Sequence, residues 1–589
     1  MAGRPSTSDT DVAFSRRAML AATAGLPVAT SGCVRQVRSI VNRDEIDQLS
    51  LTITTVPADG DRESIQLARA IAAVLEEVGM DVSIDMQAKE EFLRSVLINH
   101  DFDCYVGRHP GDTDPDLLYE ALHSRYAEEA GWQNPFGFSN LAFDELLETQ
   151  RAADTDEERT EAVTDVLETL ALEQPFVPIC VPEEYRLVRT DRFDGWEDSH
   201  PATRLGYLGL EPGDADVEQL RLVHTDARPS QNLNPLAVEY RNQGMTVQLL
   251  YDSLATASTD DGTLQPWLAA EWAWSDDTMT IELREDCSFH DGEPLTADDV
   301  AFTYRFLSDT TLNEAEISAP TQEYRSRIAG IDGIEVHDDH TLELWFEAGE
   351  PAAERVLTVP ILPEHIWTGR SDEATVMGVH VAAGTTEAFV TDNVPPIGSG
   401  PYQFDDRTER EHITLERFDD HFTTRSAVEL PEATVPELRI DIDPRSTSAI
   451  ELVSGDDADI TSLPLESYVV DDVLESTADD VEVLESPSWS FYHLGFNTRI
   501  APFSDPRFRR IVARLVDKAW LVEDVFDGHA RPIAVPGGDE WIPERLEWNG
   551  EDPETPFLGT DGEVDTVAAR GAFEDAGFRH DGDQLRVRR

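Results

Sequence analysis

Lysine is nearly absent. Only Lys89 and Lys518 occur in 589 residues, and the remaining cations are arginines. Against 46 Lys+Arg stand 118 Asp+Glu, for a net charge of -72. A chain this acidic repels nucleic acid and anionic membrane faces, so neither is expected as a partner. Long apolar runs are also missing. Nothing reaches the ~20 apolar residues that a membrane-spanning helix needs. Cysteine is sparse. Cys104, Cys180 and Cys287 lie in apolar or strand-like runs without CxxC or Cys/His spacing, which excludes a zinc site of that kind and leaves three small buried side chains. Pairing of Cys104 with Cys180 stays open. The sequence holds no P-loop, no HExxH and no glycine-rich dinucleotide turn after a strand. "IGSGP" around Ser399 is not a nucleophile elbow, because Ile397 and Pro401 stand where that pattern needs its two glycines. His290, in "FHDGEP", reads as a structural turn residue.

The carboxylates are spread along the whole chain, which reads as a solvated surface. Their repulsion destabilises a compact state in dilute buffer, and molar salt screens it by shortening the Debye length to roughly 3 Å. The composition resembles that of proteins from extreme halophiles. A hydrophobic fraction of 40% is ordinary for a folded protein. The length predicts more than one core.

The first residues read as an address. "SRRAMLAATAGLPVATSGC" (15–33) has paired arginines, Arg16 and Arg17, a short apolar run and small residues before a cysteine. It resembles a twin-arginine export signal followed by a lipobox. The expectation is export of the folded chain, with 1–33 as the twin-arginine and lipoprotein signal, a cut ahead of Cys33, lipid attachment at Cys33, and 34–50 as a linker. The protein would then sit outside the cell, held to the outer face of its membrane by the lipid alone.

From residue 51 to 210, short apolar strands alternate with amphipathic helices, the α/β pattern. "LTITTV", "DVSIDMQ" and "FDCYVGR" read as strands. "ESIQLARAIAAVLEEVGM" and "KEEFLRSVLINH" read as helices, and "FVPICVPEEYRLVR" as a strand pair. The acidic, turn-rich "GLEPGDADVEQ" (209–219) marks a boundary. Beyond it, Thr296 with Asp299 three residues on predicts a capped helix start.

A specific resemblance enters at "YDSL" (251–254), "DGTLQPWLAAEW" (261–272), "SFHDGEPLTADDVAFTY" (288–304) and "IGSGPYQF" (397–404). It continues through "YHLGFNTRIAPFSDPRFRRIVARLVDKAWLVEDVFDGHARPIAVPG" (492–537) and "DTVAARGAFEDAGF" (565–578). These phrases resemble extracellular solute-binding protein family 5, the peptide- and nickel-type binding proteins of ABC importers. In that family the last of these helices leads into a strand-helix-strand that reads like residues 51–87. Here that text stands at the front, followed by "FDCYVGRHPGDTDPDLLYEALHS" (102–124) and "LAFDELLETQRAADTDEER" (141–159), so each family segment occurs once in rotated order. The chain resembles a circular permutant with new ends in the loop after Gly577.

The resemblance implies a two-lobed α/β fold with a hinge and an extra subdomain on lobe I. Lobe II would be 51–182 with 491–589. Lobe I would comprise 183–210, 220–257 and 394–490, with 211–219 as linker and 258–393 as subdomain. The implied function is capture of peptides or similar small solutes by hinge closure, without catalysis or cofactor, by a monomer working with an ABC permease and ATPase. A surface solute sensor and a secreted hydrolase remain alternatives.

The ligand site is expected between the lobes. In peptide-binding relatives an Asp in a "GW…D…DP" loop meets the ligand ammonium. The loop here is "GRHPGDTDP" (107–115), with Arg108 in place of the Trp, which nominates Arg108, Asp112 and Asp114. The loop after Asn234-Pro235 nominates Glu239, Tyr240 and Arg241. The strand "SFYHLGFN" nominates Tyr492 and Asn497, and the returning crossover nominates Tyr185. No residue is expected to bind a metal.

Overall fold

The computed structural model describes residues 46–588 apart from 113, 215, 238–244, 259–261, 316–317, 322–323, 377–378, 381–384 and 476–479. Two large mixed sheets organise it. The first is six-stranded, in the order Ala530–Pro532, Phe176–Pro182, Phe491–Phe496, Cys104–His109, Ser50–Thr55, Asp81–Met86. Ser50–Thr55 runs parallel to both Asp81–Met86 and Cys104–His109, whereas Phe491–Phe496 is antiparallel to its neighbours. Parallel neighbours need a crossover, and helix Arg62–Glu77 supplies the first one. Asp61 caps it by accepting the Ser64 backbone N–H at 3.0 Å. Ile65, Ala68, Ile71, Ala72 and Leu75 recur every three or four residues and form its buried stripe.

The text "KEEFLRSVLINH" does not make one uniform helix. A short α-helix, Lys89–Leu93, widens into a π-helical turn at Arg94–Ile98. Apolar spacing cannot signal this change, because one extra residue per turn leaves the buried Phe92, Leu93, Val96 and Leu97 on the core side.

The second sheet has seven strands, in the order Tyr402–Thr408, His412–Arg417, Glu437–Ile442, Gln219–His224, Ile460–Thr461, Glu184–Arg189, Val481–Ser486. The chain steps between the sheets at two places. Phe176–Pro182 passes into Glu184–Arg189 through Glu183 alone, and Val481–Ser486 passes into Phe491–Phe496 through residues 487–490. A separate antiparallel sheet (Ala269–Ser275, Thr278–Leu283, Thr341–Phe346, Ile331–Asp338) carries helix Ala297–Ser308. That helix starts in a capping box, with the Thr296 N–H donating to Asp299 Oδ2 at 3.0 Å.

Both ends of the described chain meet in the lobe built on the six-stranded sheet. Ile46–Gln48 pairs antiparallel with Gln584–Arg588, Ile46 opposite Arg588. Leu585 donates its N–H to the Gly79 carbonyl at 2.8 Å, and Leu49 donates to the Leu585 carbonyl at 2.8 Å. Gly79 has φ +95°, and a Cβ there would meet the Asp583 carbonyl oxygen at 2.1 Å, so this turn admits glycine only. Phe573 of helix Thr566–Asp575 is fully buried in one core with Ile71, Leu75, Val78, Phe508 and Leu585. The opposite face of the sheet is covered by a second core that includes Phe92, Tyr105, Phe136, Phe143, Leu167 and Phe491.

Cys104, Cys180 and Cys287 are buried and unpaired. The strand Phe491–Phe496 lies between those of Cys104 and Cys180, with Phe496 opposite Cys104 and Tyr492 opposite Cys180, which keeps the two thiols apart. No helix among the described residues is long and apolar enough to cross a membrane.

Candidate functional site

The seam between the two sheets collects the charged side chains that a soluble core cannot hold unpaired. At its root, beside the two crossings, Arg108 leaves strand Cys104–His109. Its Nη2 donates to Glu184 Oε1 at 2.6 Å and its Nε to Ser490 Oγ at 2.5 Å. Glu184 Oε2 accepts from Arg186 Nη2 at 2.7 Å. Burial pushes the Glu184 carboxyl up, but Arg186 and Arg108 outweigh it and hold it below the ordinary carboxylate value. Tyr492, directly opposite Arg108 in the sheet, donates its hydroxyl to Asp61 Oδ1 at 3.2 Å.

On one flank the loop after Arg108 docks on residues 325–355. Gly111 (φ +69°) passes so near the backbone of Trp489 that a Cβ would lie 1.6 Å from its carbonyl oxygen. The three carboxylates that follow all meet arginines. Asp112 accepts from Arg355 at 2.5 Å and from Arg327 at 3.5 Å. Asp114 is gripped by both guanidinium arms of Arg159, at 2.7 and 3.0 Å. Asp116, fully buried, accepts from Arg151 at 2.6 and 2.7 Å and from Arg355 at 3.1 Å. Burial raises the Asp116 carboxyl, and the two arginines more than reverse this, holding it well below the usual range. Ser326 to Glu120 at 2.7 Å and Arg325 to Glu129 at 2.9 Å extend the contact.

On the other flank the first turn of helix Arg62–Glu77 meets helix Ser467–Glu475. Glu63 Oε1 accepts from the Ser467 hydroxyl at 2.8 Å and N–H at 3.2 Å, and Arg62 lies over the Tyr468 ring at 4.4 Å. Burial, helped by the Asp61 charge, pushes the Glu63 carboxyl up to about 7. His529 pairs with Asp471 at 2.9 Å and stands edge-on to Tyr185.

Between the flanks, Lys89 approaches Asp226 at 3.9 Å. Asp226 itself is held by Arg228 at 2.6 Å. Beside Lys89 opens a cavity of about 460 Å³, walled by Glu91, Arg94, Ser95 and Asn99 from one side and by Gln231 and Arg410 from the other. That size suits a small solute.

The expected site residues therefore separate. Arg108 and Tyr492 stand at the root of the seam. Asp112 and Asp114 are committed to arginines of the chain itself, and Tyr185 donates to Glu183 at 2.7 Å on the outer flank. Asn497 lies at the far end of its strand, where its amide donates to the Phe102 carbonyl at 2.9 Å. Five residues beyond Tyr492, it is roughly 16 Å along the sheet from the seam. Glu239, Tyr240 and Arg241, with Arg16, Arg17 and Cys33, lie outside the described residues. His290 ties its turn to the "IGSGP" loop through the Gly400 carbonyl at 3.0 Å. Asp61, Glu63, Glu184, Asp226, Arg228 and Arg355 also stand at the seam, without a local sequence pattern that marks them. Lys89 alone carried a signal, as one of the two lysines. Among the described residues no group of three or more His, Cys, Asp or Glu is placed to hold a metal.

Comparison with known proteins adds the family. The model of the bacterial extracellular solute-binding proteins, family 5 (middle), matches residues 263–588. The oligopeptide-binding protein AppA of Bacillus subtilis (strain 168) is 24% identical over 277 residues, covering 46% of this chain and 43% of that protein. Di/tripeptide-binding protein 2 of Pseudomonas aeruginosa (strain UCBPP-PA14) is 26% identical over 338 residues, covering 52% of this chain and 59% of that one. The chain thus spans about half the length of the curated relatives it matches. Among solved structures, B. subtilis AppA with a nonapeptide aligns at a TM-score of 0.44 and 18% identity, covering 62% of this chain and 67% of that one. NikZ of Campylobacter jejuni with Ni(L-His) aligns at a TM-score of 0.41 and 17% identity, covering 62% and 65%. Because the family's own pattern runs through more than half of its length, this chain belongs to the bacterial extracellular solute-binding proteins of family 5.

Proposed function

We propose that this protein is the extracytoplasmic solute-binding component of an ABC importer, with peptides as the leading ligand class. It captures its solute in the seam between the two lobes and hands it to a permease driven by an ATPase. The observation that carries the reading is the architecture of the seam. Two α/β lobes are joined by two short strand crossings, and charged side chains from both lobes face one another beside a solute-sized cavity. Short crossings let two packed lobes turn as rigid bodies about a hinge. The names of the relatives support peptides: one binds oligopeptides, another di- and tripeptides. Equilibrium titration with a defined peptide mixture, run beside an assay for hydrolysis, separates the classes. One solute bound per chain without turnover supports a receptor, and turnover supports a secreted hydrolase.

Lobe II is 51–182 with 491–589, lobe I is 183–210, 220–257 and 394–490, and 258–393 is its subdomain. The chain is a circular permutant of the family order, which the pairing of Ile46–Gln48 with Gln584–Arg588 and the shared core of Ile71 and Phe573 support. It acts as a monomer in molar salt, and the net charge of -72 supports the halophilic part. Arg16 and Arg17 direct its export, and Cys33 carries the lipid that holds it to the membrane. Cys33→Ser is expected to release it into the medium, and unchanged retention would remove the anchor.

A further inference from the structure

We infer that residues 325–355 form a releasable clasp on one flank of the seam, which holds the two sheets closed without a solute and opens without unfolding either. This goes beyond the receptor reading, which needs a hinge and no clasp. The clasp joins two separate cores. Ile328, Val356 and Leu357 are buried with Leu220, Leu222 and Leu438 of the seven-stranded sheet. Leu117, Tyr119, Leu147 and Val163 are buried with Tyr105 and Phe491 of the six-stranded sheet. No apolar cluster among the described residues spans the contact between these two groups.

What spans it is polar. Arg355 reaches Asp112 at 2.5 Å and Asp116 at 3.1 Å, and Arg325 reaches Glu129 at 2.9 Å. In the other direction Arg151 Nη2 donates to the Ser326 carbonyl at 2.8 Å, and Arg159 Nη1 donates to the Pro351 carbonyl at 3.2 Å. A backbone bond crosses as well, from the Gly349 N–H to the Arg151 carbonyl at 2.8 Å. A polar contact between two packed bodies parts without exposing apolar surface, and the desolvation its charges suffer is returned when water reaches them.

The ion pairs divide cleanly along the contact. Asp114 keeps Arg159, and Asp116 keeps Arg151 and the Gln150 amide, all from its own side. Of the three loop aspartates only Asp112 takes its cations from the far side, from Arg355 and Arg327, and its side chain is already 25% exposed. Release therefore strands no carboxylate in a dry core. The closest approach is also shaped for closing. Gly349 has φ -69° and ψ 162°, a conformation open to any residue, so its own backbone does not need glycine. A Cβ there would stand 2.0 Å from the Ala153 carbonyl oxygen on the other body, so the clasp shuts only because this position has no side chain.

The test is hydrogen exchange of the full chain in molar potassium chloride with no solute added, read residue by residue by mass spectrometry and corrected for intrinsic rates. In wild type the amide of residue 349 should exchange at least about tenfold more slowly than an unprotected amide, because the clasp is shut. It should exchange at least about tenfold faster than the amides of Ile71 and Leu75, because the clasp opens while the lobe stays folded. Gly349→Ala wedges a methyl into the clasp and removes no charge. It should raise exchange at residue 349 about tenfold, leave Ile71 and Leu75 unchanged, and enlarge the radius of gyration measured by small-angle X-ray scattering. An unprotected residue 349 in wild type, or coincident exchange of residues 349, 71 and 75, overturns the inference. So does a Gly349→Ala chain that keeps the wild-type exchange at residue 349 or the wild-type radius of gyration, or that loses protection at all three residues alike. The wild-type comparison decides by itself if the variant does not fold. None of these measurements needs a ligand, so the receptor reading stands or falls separately, on the titration with the peptide mixture.

Discussion

Leu585 donates its backbone N–H to the carbonyl of Gly79 at 2.8 Å, which stitches the two ends of the described chain into one lobe. The stitch makes Gly79 a sensitive probe. Gly79→Ala forces a left-handed residue and drives a methyl onto the Asp583 carbonyl. Gly577→Ala imposes a similar φ, +94°, with nothing within 4 Å. Gly577→Ala is expected to cost about 1 kcal/mol of backbone strain. Gly79→Ala should cost at least about 2 kcal/mol more, because the hairpin must shift. Denaturant unfolding of the two variants checks this. Equal losses would mean that the hairpin does not press on the turn.

Removal of residues 566–588 should damage the lobe built on the six-stranded sheet. It takes away the buried Phe573 and Leu585 and leaves a cavity over Ile71, Leu75 and Val78. Hydrogen exchange in helix Arg62–Glu77 is the readout, and it should rise to the rate of global unfolding. Unchanged protection of that helix would show that the two ends fold independently.

Arg355 holds Asp112 and Asp116 together from the far side of the loop contact. Arg355→Met leaves the fully buried Asp116 with Arg151 and the Gln150 amide and should destabilise by roughly 3 kcal/mol, within the range for a broken buried pair. Acid behaviour follows from the sign of the shift. The Asp116 carboxyl is depressed in the fold. Its contribution is present above the unfolded value of about 3.9 and fades as pH falls toward the folded value. Thermal melts of wild type between pH 7 and pH 2 should lose this contribution only at the acid end.

Glu63 has the opposite sign. Its carboxyl is raised to about 7. The fold therefore favours the protonated form, so its contribution is full below about 4.3 and is lost as pH rises through 7. Glu63→Gln mimics the protonated group against Ser467. The variant should gain stability relative to wild type at pH 8 and show little gain at pH 5. A pH-independent difference would mean that Glu63 does not titrate in this window.

Salt should act on the whole surface. Lowering it from molar to about 0.1 M lengthens the Debye length from roughly 3 Å to about 10 Å and restores repulsion among the surplus carboxylates. The melting temperature is expected to fall, and an unchanged or higher value would contradict the halophilic reading of the composition.

The elements were legible where local pattern decides them. The stripe from Ile65 to Leu75, the capping box at Thr296 and the strand text around Val106 and Leu494 announce themselves within a few residues. The π-turn at Arg94–Ile98 did not, because its apolar spacing fits either helix. The seam was legible in outline and not in detail. The loop of 107–115 pointed to Arg108, and Arg108 stands there. The partners that neutralise Asp112 and Asp114 come from Arg355, Arg327 and Arg159, and nothing local couples a carboxylate to a guanidinium so distant in sequence. Asp61 looked like a helix cap, which it is, and its second partner Tyr492 comes from the other end of the chain.

The account stands on the claim that the seam holds a solute. Native mass spectrometry of the protein purified in molar salt, from cells grown on a peptide-rich medium, tests it most directly. The expected result is one solute per chain, lost on denaturation and identifiable by its released mass. A chain that carries only its own covalent mass, and stays bare when a peptide mixture is added, would contradict the claim.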